Sequence, residues 1–242
     1  MSDELELNLV RVREKIRWAA SKSGRTADDI TLIAVSKTQP PELINAAIMA
    51  GQMVFGENRV QEARAKIPLC GSGAHWHHIG HLQKNKIRHA LPVFEMLHGV
   101  DSVQLAQEVQ RIAEEAGLMP QVLLQVNVAG EATKFGFKPS TMEAELEKVI
   151  SEMPHLDVQG LMTIPPFAVS PEDSRPYFVT LRQLRDYLQD KMKVGLPHLS
   201  MGMSGDYEVA IEEGATMVRV GTNIFGNRQG KEWKPAGIAL DD

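Results

Sequence analysis

The sequence predicts an α/β fold, a single (β/α)8 TIM barrel preceded by one extra N-terminal helix. Three observations carry that prediction. Eight short, strand-like apolar runs alternate with helical segments along 242 residues, and strands separated by helices pair in parallel because parallel neighbours need long crossovers. Eight such units in ~250 residues is the size of a closed (β/α)8 barrel. The first run leads into "SKTQPP", without the glycine-rich turn that an open, doubly wound sheet often carries there.

Residues 4–20 place Leu5, Leu9, Val12, Ile16 and Ala19 on one stripe between charged residues, the signature of an amphipathic helix. The strand-like runs follow: "TLIAVS" (31–36), "MVFG" (53–56), "HHIG" (77–80), "MLHGV" (96–100), "VLLQVNV" (122–128), "VQGLMT" (158–163), "HLSMG" (198–202) and "MVRVG" (217–221). Between them, helices are predicted near 41–50, 57–66, 82–91, 102–117, 140–153, 174–193 and 205–213. The clearest is 174–193, with Phe178, Leu181, Leu184 (or Arg185), Leu188 and Met192 on one side. "IPPFAVSPEDSRP" (164–176) lies between a strand and its helix, so it reads as a βα loop and a candidate lid. No second domain or internal repeat interrupts the pattern, and the span 1–242 is expected to be one domain.

A 43% hydrophobic chain of this length can bury a sizeable core. Its net charge of −5 and the absence of a basic block exclude nucleic acid as a principal ligand. No stretch reads as a signal peptide or a membrane span. The single cysteine, Cys70, rules out an internal disulfide framework and fits a reducing compartment; a cytoplasmic protein is expected. Cys70 itself reads as an ordinary thiol in a Gly/Ser loop.

Chemistry in this architecture collects at the C-terminal ends of the strands. There the first strand ends in Ser36-Lys37, the second runs into Glu57-Asn58-Arg59, and the third ends near Gly80-His81. The fifth carries Asn127, the seventh ends in "SMGMSGD", and the eighth in "RVGTNIFGNR". Side chains alternate across a strand. With Val218 and Val220 on the helix-packed face, Arg219 points into the barrel, where a guanidinium needs an acceptor. Glu57 is one candidate partner. Lys37 shares the parity of Ile33 and Val35, and the first and eighth strands adjoin in a closed barrel. Lys37 and Arg219 therefore converge on one pocket suited to an anionic ligand, and their repulsion would depress the lysine pKa towards a nucleophilic amine.

The glycine turns of "MGMSGD" and "GTNIFG" expose backbone N–H groups of the kind that bind phosphate, and the loops after strands seven and eight are the usual phosphate site of this fold. Ser204 and Thr222 add hydroxyl donors. Asp206 and Glu208, in the first turn of the following helix, count against an anion unless they serve the helix from its solvent side. Each feature has a plainer alternative: a solvated strand end for Lys37, simple turns for Gly221 and Gly226, a structural ion pair for Arg219. Their combination on one rim favours a site. "HWHHIGH" invites a metal, but no further ligands complete a set at recognisable spacing; His77 and His78 read as inner- or outer-face strand residues and His81 as a rim donor.

A ligand with an electrophile for Lys37, a ring or anion for Arg219 and a phosphate for the two loops is met by pyridoxal 5′-phosphate (PLP). An arginine at the pyridine nitrogen would leave the ring a weak electron sink. The segments "AVSKTQP", "FGENRVQEARAK", "WHHIGHLQKNK", "QVNVAGEATKFGF", "GLMTIPP" and "LSMGMSGDYEVAIEEGATMVRVGTNIFG", spanning roughly 32–228, closely resemble the YggS/PROSC family of pyridoxal phosphate homeostasis proteins. That family looks like the alanine racemase barrel (PLP fold type III) standing alone. The resemblance implies a covalent PLP aldimine on Lys37 and Arg219 facing the pyridine nitrogen. It further implies Ser204, Gly221 and Thr222 on the phosphate, with Ser200 and Asn58 lining the pocket.

Members of that family are mainly regarded as carriers or regulators of the vitamin B6 pool, with little or no turnover. The residues speak to this separately. A racemase needs acid–base groups on both faces of its substrate, and the three tyrosines, Tyr177, Tyr187 and Tyr207, all fall in predicted helices. A chain ending at Asp242 leaves no room for the second domain that supplies the opposing tyrosine in alanine racemases. A PLP homeostasis protein is therefore expected, a monomer, with apo PLP-dependent enzymes as candidate recipients. A racemase-type PLP enzyme and a Schiff-base aldolase acting on a phosphosugar are the alternatives.

Overall fold

The computed structural model describes residues 2–131, 134–226 and 233. Ala132 and Thr133 of "QVNVAGEATKFGF", Asn227 and Arg228 after the eighth strand, and the C-terminal end of the expected domain lie outside the described residues. Eight strands close a wholly parallel barrel in chain order: β1 Thr31–Val35, β2 Val54–Glu57, β3 His75–His78, β4 Met96–Val100, β5 Gln121–Gln125, β6 Asp157–Met162, β7 His198–Met203 and β8 Met217–Val220. The helices are α1 Ser2–Lys22, α2 Pro41–Met49, α3 Val60–Lys66, α4 Ile87–Ala90, α5 Val103–Ala116, α6 Met142–Glu152, α7 Arg175–Met192, α8 Tyr207–Glu212 and a short α9 Thr222–Phe225. α1 is the expected extra helix; its Leu5–Leu9–Val12–Ile16 stripe is buried where it lies against α8 and α9.

Local chemistry marks the helix ends. Ser102 caps α5 by accepting the Leu105 N–H at 3.2 Å, and Gly117, at φ +65°, turns the chain out of the same helix. Pro41 opens α2 at the position where a missing N–H costs nothing. The third strand sits two residues earlier than its apolar run suggests. Trp76 stacks on Phe55 of β2 at 5.2 Å on the outer face, and Ile79 lies beyond the strand end, packed inside the barrel. The predicted 82–91 helix is only a 3-10 turn, Lys84–Lys86, and the single turn α4.

Strand alternation sorts the apolar residues into two cores. The larger lies between sheet and helices and includes Ala34, Phe55, Leu97, Leu124, Leu161, Leu199, Val218 and Val220. The smaller fills the barrel with Ile33, Ile79, Met96, Leu123, Met162 and Met217. Each large side chain so buried contributes ~1.5–3 kcal/mol. Close approach is tightest at Gly160 (φ +151°), where an added Cβ would stand 1.9 Å from the His198 carbonyl oxygen. Any side chain there would force β6 and β7 apart. Among the described residues no helix is long and apolar enough to cross a membrane.

Candidate functional site

A cavity of about 600 Å³ lies at the C-terminal end of the barrel. Lys37, Asn58, Ser204, Arg219, Gly221 and Thr222 all line it, with Val35, Ile79 and Phe167 among the apolar wall. Six of the seven residues singled out in the sequence thus meet in one place. Ser200 does not line it; it lies buried on β7 and binds Arg219.

Arg219 occupies the depth of the cavity because β8 pairs with β1 so that Arg219 stands opposite Ile33 and shares the inner face with Met217. It is buried and donates to the Thr163 carbonyl at 2.9 Å and to Ser200 Oγ. Ser200 Oγ lies 2.9 Å from His98 Nδ1, and His98 Nε2 lies 3.0 Å from His77 Nδ1. Burial holds His77 down at about 4 and His98 well below the usual imidazole range, so both rings are neutral. Desolvation lowers Arg219 to about 10, still cationic at neutral pH.

The suggested Arg219–Glu57 ion pair does not form. In β2 the inner positions are Val54 and Gly56; an added Cβ on Gly56 would strike Ile33 and Ile79. Glu57 accordingly faces outwards, where it binds Lys66 at 3.0 Å and accepts from Ser36 Oγ at 2.6 Å. Arg219's side-chain partners among the described residues are a hydroxyl and a carbonyl, not a carboxylate. Asp206, close enough to favour its charge, is already engaged: it accepts from the Met203 N–H at 2.7 Å and from Ser174 Oγ at 2.9 Å.

That engagement also answers the objection from the first-turn carboxylates. Asp206 ties down its own turn, and Glu208 pairs with Lys15 of α1 at 2.7 Å. The Gly221 N–H donates to Ser204 Oγ at 3.1 Å, which brings the two predicted phosphate loops into contact. A Cβ on Gly221 would stand 3.3 Å from Val35 Cβ, so glycine lets the β8 turn close onto β1. Lys37 follows β1 at the rim, half-buried, and the next residue, Thr38, is held at φ +66°.

The histidine-rich motif divides by strand face. His75 pairs with Glu95 at 2.9 Å, His77 points into the barrel, and His78 packs edge-on against Phe94 outside it. His81, expected as a rim donor, binds Asp101 at 2.9 Å and stacks on Phe135; it is not among the cavity-lining residues. No group of three metal-ligating side chains occurs among the described residues. Tyr177 and Tyr187 fall in α7 and Tyr207 in α8, and none is among the lining residues. The sequence reading missed His98 and Thr163. Parity within "MLHGV" puts His98 on the Met96 face, which was the available signal.

An amine at the rim, a guanidinium in the depth and a cup of N–H and O–H groups between β7 and β8 define a binding barrel of the alanine racemase type. The family model described as "Alanine racemase, N-terminal domain" matches residues 7–229. The chain is 48% identical over 222 residues to the pyridoxal phosphate homeostasis protein of Aquifex aeolicus, covering 91% of this chain and 97% of that one. It is 43% identical over 235 residues to the Escherichia coli K12 protein of the same name, covering 93% and 97%. It belongs to the pyridoxal phosphate homeostasis protein (YggS/PROSC) family. PipY of Synechococcus elongatus PCC7942, a structure with PLP bound, matches with a TM-score of 0.79 and 37% identity over 92% of this chain and all of that one (100%). An alanine racemase of Clostridium difficile is similar in fold alone, with a TM-score of 0.70 and 19% identity over 96% of this chain and 59% of that one.

Proposed function

We propose that this protein binds PLP covalently, as a Schiff base on Lys37, and serves intracellular PLP homeostasis as a carrier with little or no turnover. The observation that carries the reading is that Lys37, Arg219 and the Ser204–Gly221 contact face one cavity. Names of the relatives and the PLP in PipY support it. The residues fit each part of the cofactor. Ser204, Thr222 and the Gly221 N–H suit a phosphate, and the two nearby carboxylates are occupied elsewhere. Arg219, cationic and with no carboxylate partner among the described residues, suits the ring nitrogen. Asn58 lines the wall, and Ser200 orients Arg219 from behind.

Lys37 Nζ would supply the amine that holds the aldehyde carbon of PLP. When bound, PLP supplies an electron-withdrawing ring conjugated to that bond. Arg219 would offer the ring nitrogen a hydrogen bond without surrendering its proton, leaving the ring's electron demand low. No tyrosine stands among the lining residues to act as a second acid–base group opposite Lys37. Ile164, Phe167 and Val169 instead leave an exposed apolar margin, which suits handing the cofactor to an apo-enzyme. A cytoplasmic monomer follows from the same reading.

Borohydride reduction of the PLP-loaded protein should fix one phosphopyridoxyl group on Lys37, located by peptide mass, and Lys37→Ala should abolish it. Loaded protein should restore activity to an apo PLP-enzyme. Label on another residue would overturn the anchor, and sustained racemisation of L-amino acids would overturn the carrier.

A further inference from the structure

We propose that the buried Glu57–Lys66–Glu62 cluster is a positioning device for Lys37, aiming its side chain by pinning the peptide group on each side of it. The proposal rests on Lys37 being the covalent anchor. The cluster lies outside the barrel, between β1, β2 and α3, and none of its three residues is among those lining the cavity. All three side chains are at most 1% exposed.

Taking charges out of water costs several kcal/mol per ion, recovered only where hydrogen bonding is complete. Lys66 has three N–H donors, and it spends them on three acceptors: Ser36 O at 3.0 Å, Glu57 Oε1 at 3.0 Å and Glu62 Oε1 at 2.5 Å. Two of these lines lead straight to the end of β1. Lys66 holds the Ser36 carbonyl, and Glu62 Oε1 accepts the Thr38 N–H at 2.6 Å. Ser36 is gripped a second time through its hydroxyl on Glu57.

The stereochemistry gives these contacts their meaning. The Ser36 carbonyl belongs to the peptide before Lys37, and the Thr38 N–H to the peptide after it. Each peptide is planar, leaving φ and ψ of Lys37 as the soft variables between them. Fixing both planes fixes both dihedrals and therefore the Cα–Cβ direction. The same grip holds Thr38 at φ +66°, a conformation a β-branched residue rarely adopts. A helix seated by apolar contacts alone would hold α3 in place but would leave the Thr38 N–H without Glu62 and the Ser36 carbonyl to the Gln39 N–H, 3.0 Å away. The motif "GENRVQEARAK" thus places Glu57, Glu62 and Lys66 at spacings where one ammonium, at the last residue of α3, reaches the end of β1.

The test separates aim from fold. Full-length wild type, Glu62→Ala, Glu62→Gln and Lys66→Met are mixed with PLP in a stopped-flow spectrometer to time imine formation. Their affinity for pyridoxine 5′-phosphate, which keeps ring and phosphate but has no aldehyde, is measured in parallel. Glu62→Ala should slow capture by on the order of 10²-fold, the cost of misplacing a reacting group by about an ångström, with unchanged affinity for the analogue. Glu62→Gln, which still offers an oxygen to the Thr38 N–H, should recover most of the rate. Equal losses of capture rate and analogue affinity, or a wild-type capture rate in Glu62→Ala, would overturn the positioning role. Should Lys66→Met fail to fold, the Glu62 pair decides. Failure of the wild type itself to capture PLP would instead sink the assignment of Lys37.

Discussion

Among the described residues two cations are buried against the barrel wall, one on each face, and they are treated in opposite ways. Outside it, Lys66 meets two carboxylates and a carbonyl. Inside it, Arg219 meets a hydroxyl and a carbonyl, backed by two neutral imidazoles. A buried charge with its counter-ions in hand is already settled, whereas one given only neutral acceptors keeps its attraction for an anion or a lone pair. On the proposed reading, the difference separates a cation that organises the chain from one that would meet a ligand.

The sharpest way to break that contrast is to remove Lys66. Lys66→Ala leaves Glu57 and Glu62 buried without their ammonium, and breaking a buried pair in this way costs about 3–5 kcal/mol. For a chain of this size that corresponds to a fall in Tm on the order of 10 °C. Calorimetry on the ligand-free protein measures it. A loss below ~1 kcal/mol, the worth of an exposed pair, would mean the two cations are not differently held.

Glu57 and His77, on opposite faces of the wall, should also respond to pH with opposite slopes. Burial pushes Glu57 up from 4.5 to about 7, against the pull of Lys66. Its protonated form suits the fold, so that contribution is complete below pH 4.5 and is lost as the pH climbs to 7. Burial pulls His77 down from 6.5 to about 4. Its neutral form suits the fold, so that contribution is complete above pH 6.5 and is lost as the pH falls to 4. Each amounts to on the order of 3 kcal/mol across its window. In urea melts taken from pH 4 to 8, Glu57→Gln should gain on the wild type as pH rises. His77→Asn should gain as pH falls. Slopes of the same sign would erase the distinction between these two buried groups.

How much of this was legible depended on distance along the chain. The eight strands, the inward Arg219 and the rim position of Lys37 follow from local alternation and from where each apolar run stops. The outward Glu57 was not legible, because "MVFG" has no polar residue to set its in–out phase, and the phase comes from Gly56 fitting against Ile33 and Ile79. The inner relay was hidden for a different reason. His98 and Ser200 are 102 residues apart, and only barrel closure makes them neighbours. Lys66 looked like one more charged residue on a helix. Its complete burial depends on α3 starting at Val60 rather than Glu57, which turns the helix end onto the end of β1.

The smallest expected change in stability is the most informative about Arg219. Arg219→Met removes a buried charge that has no carboxylate partner among the described residues, so the desolvation relieved is set against hydrogen bonds forfeited by Thr163 O and Ser200 Oγ. Those bonds are worth about 1 kcal/mol each, and apolar replacement of buried charges is often neutral or stabilising. The ligand-free variant should therefore melt within ~1 kcal/mol of the wild type. Retention of PLP, followed by dialysis and absorbance, should nevertheless fall sharply, because Arg219 also lines the cavity. A variant that unfolds as readily as Lys66→Ala would place Arg219 with the structural cations, and the contrast between the two faces would go with it.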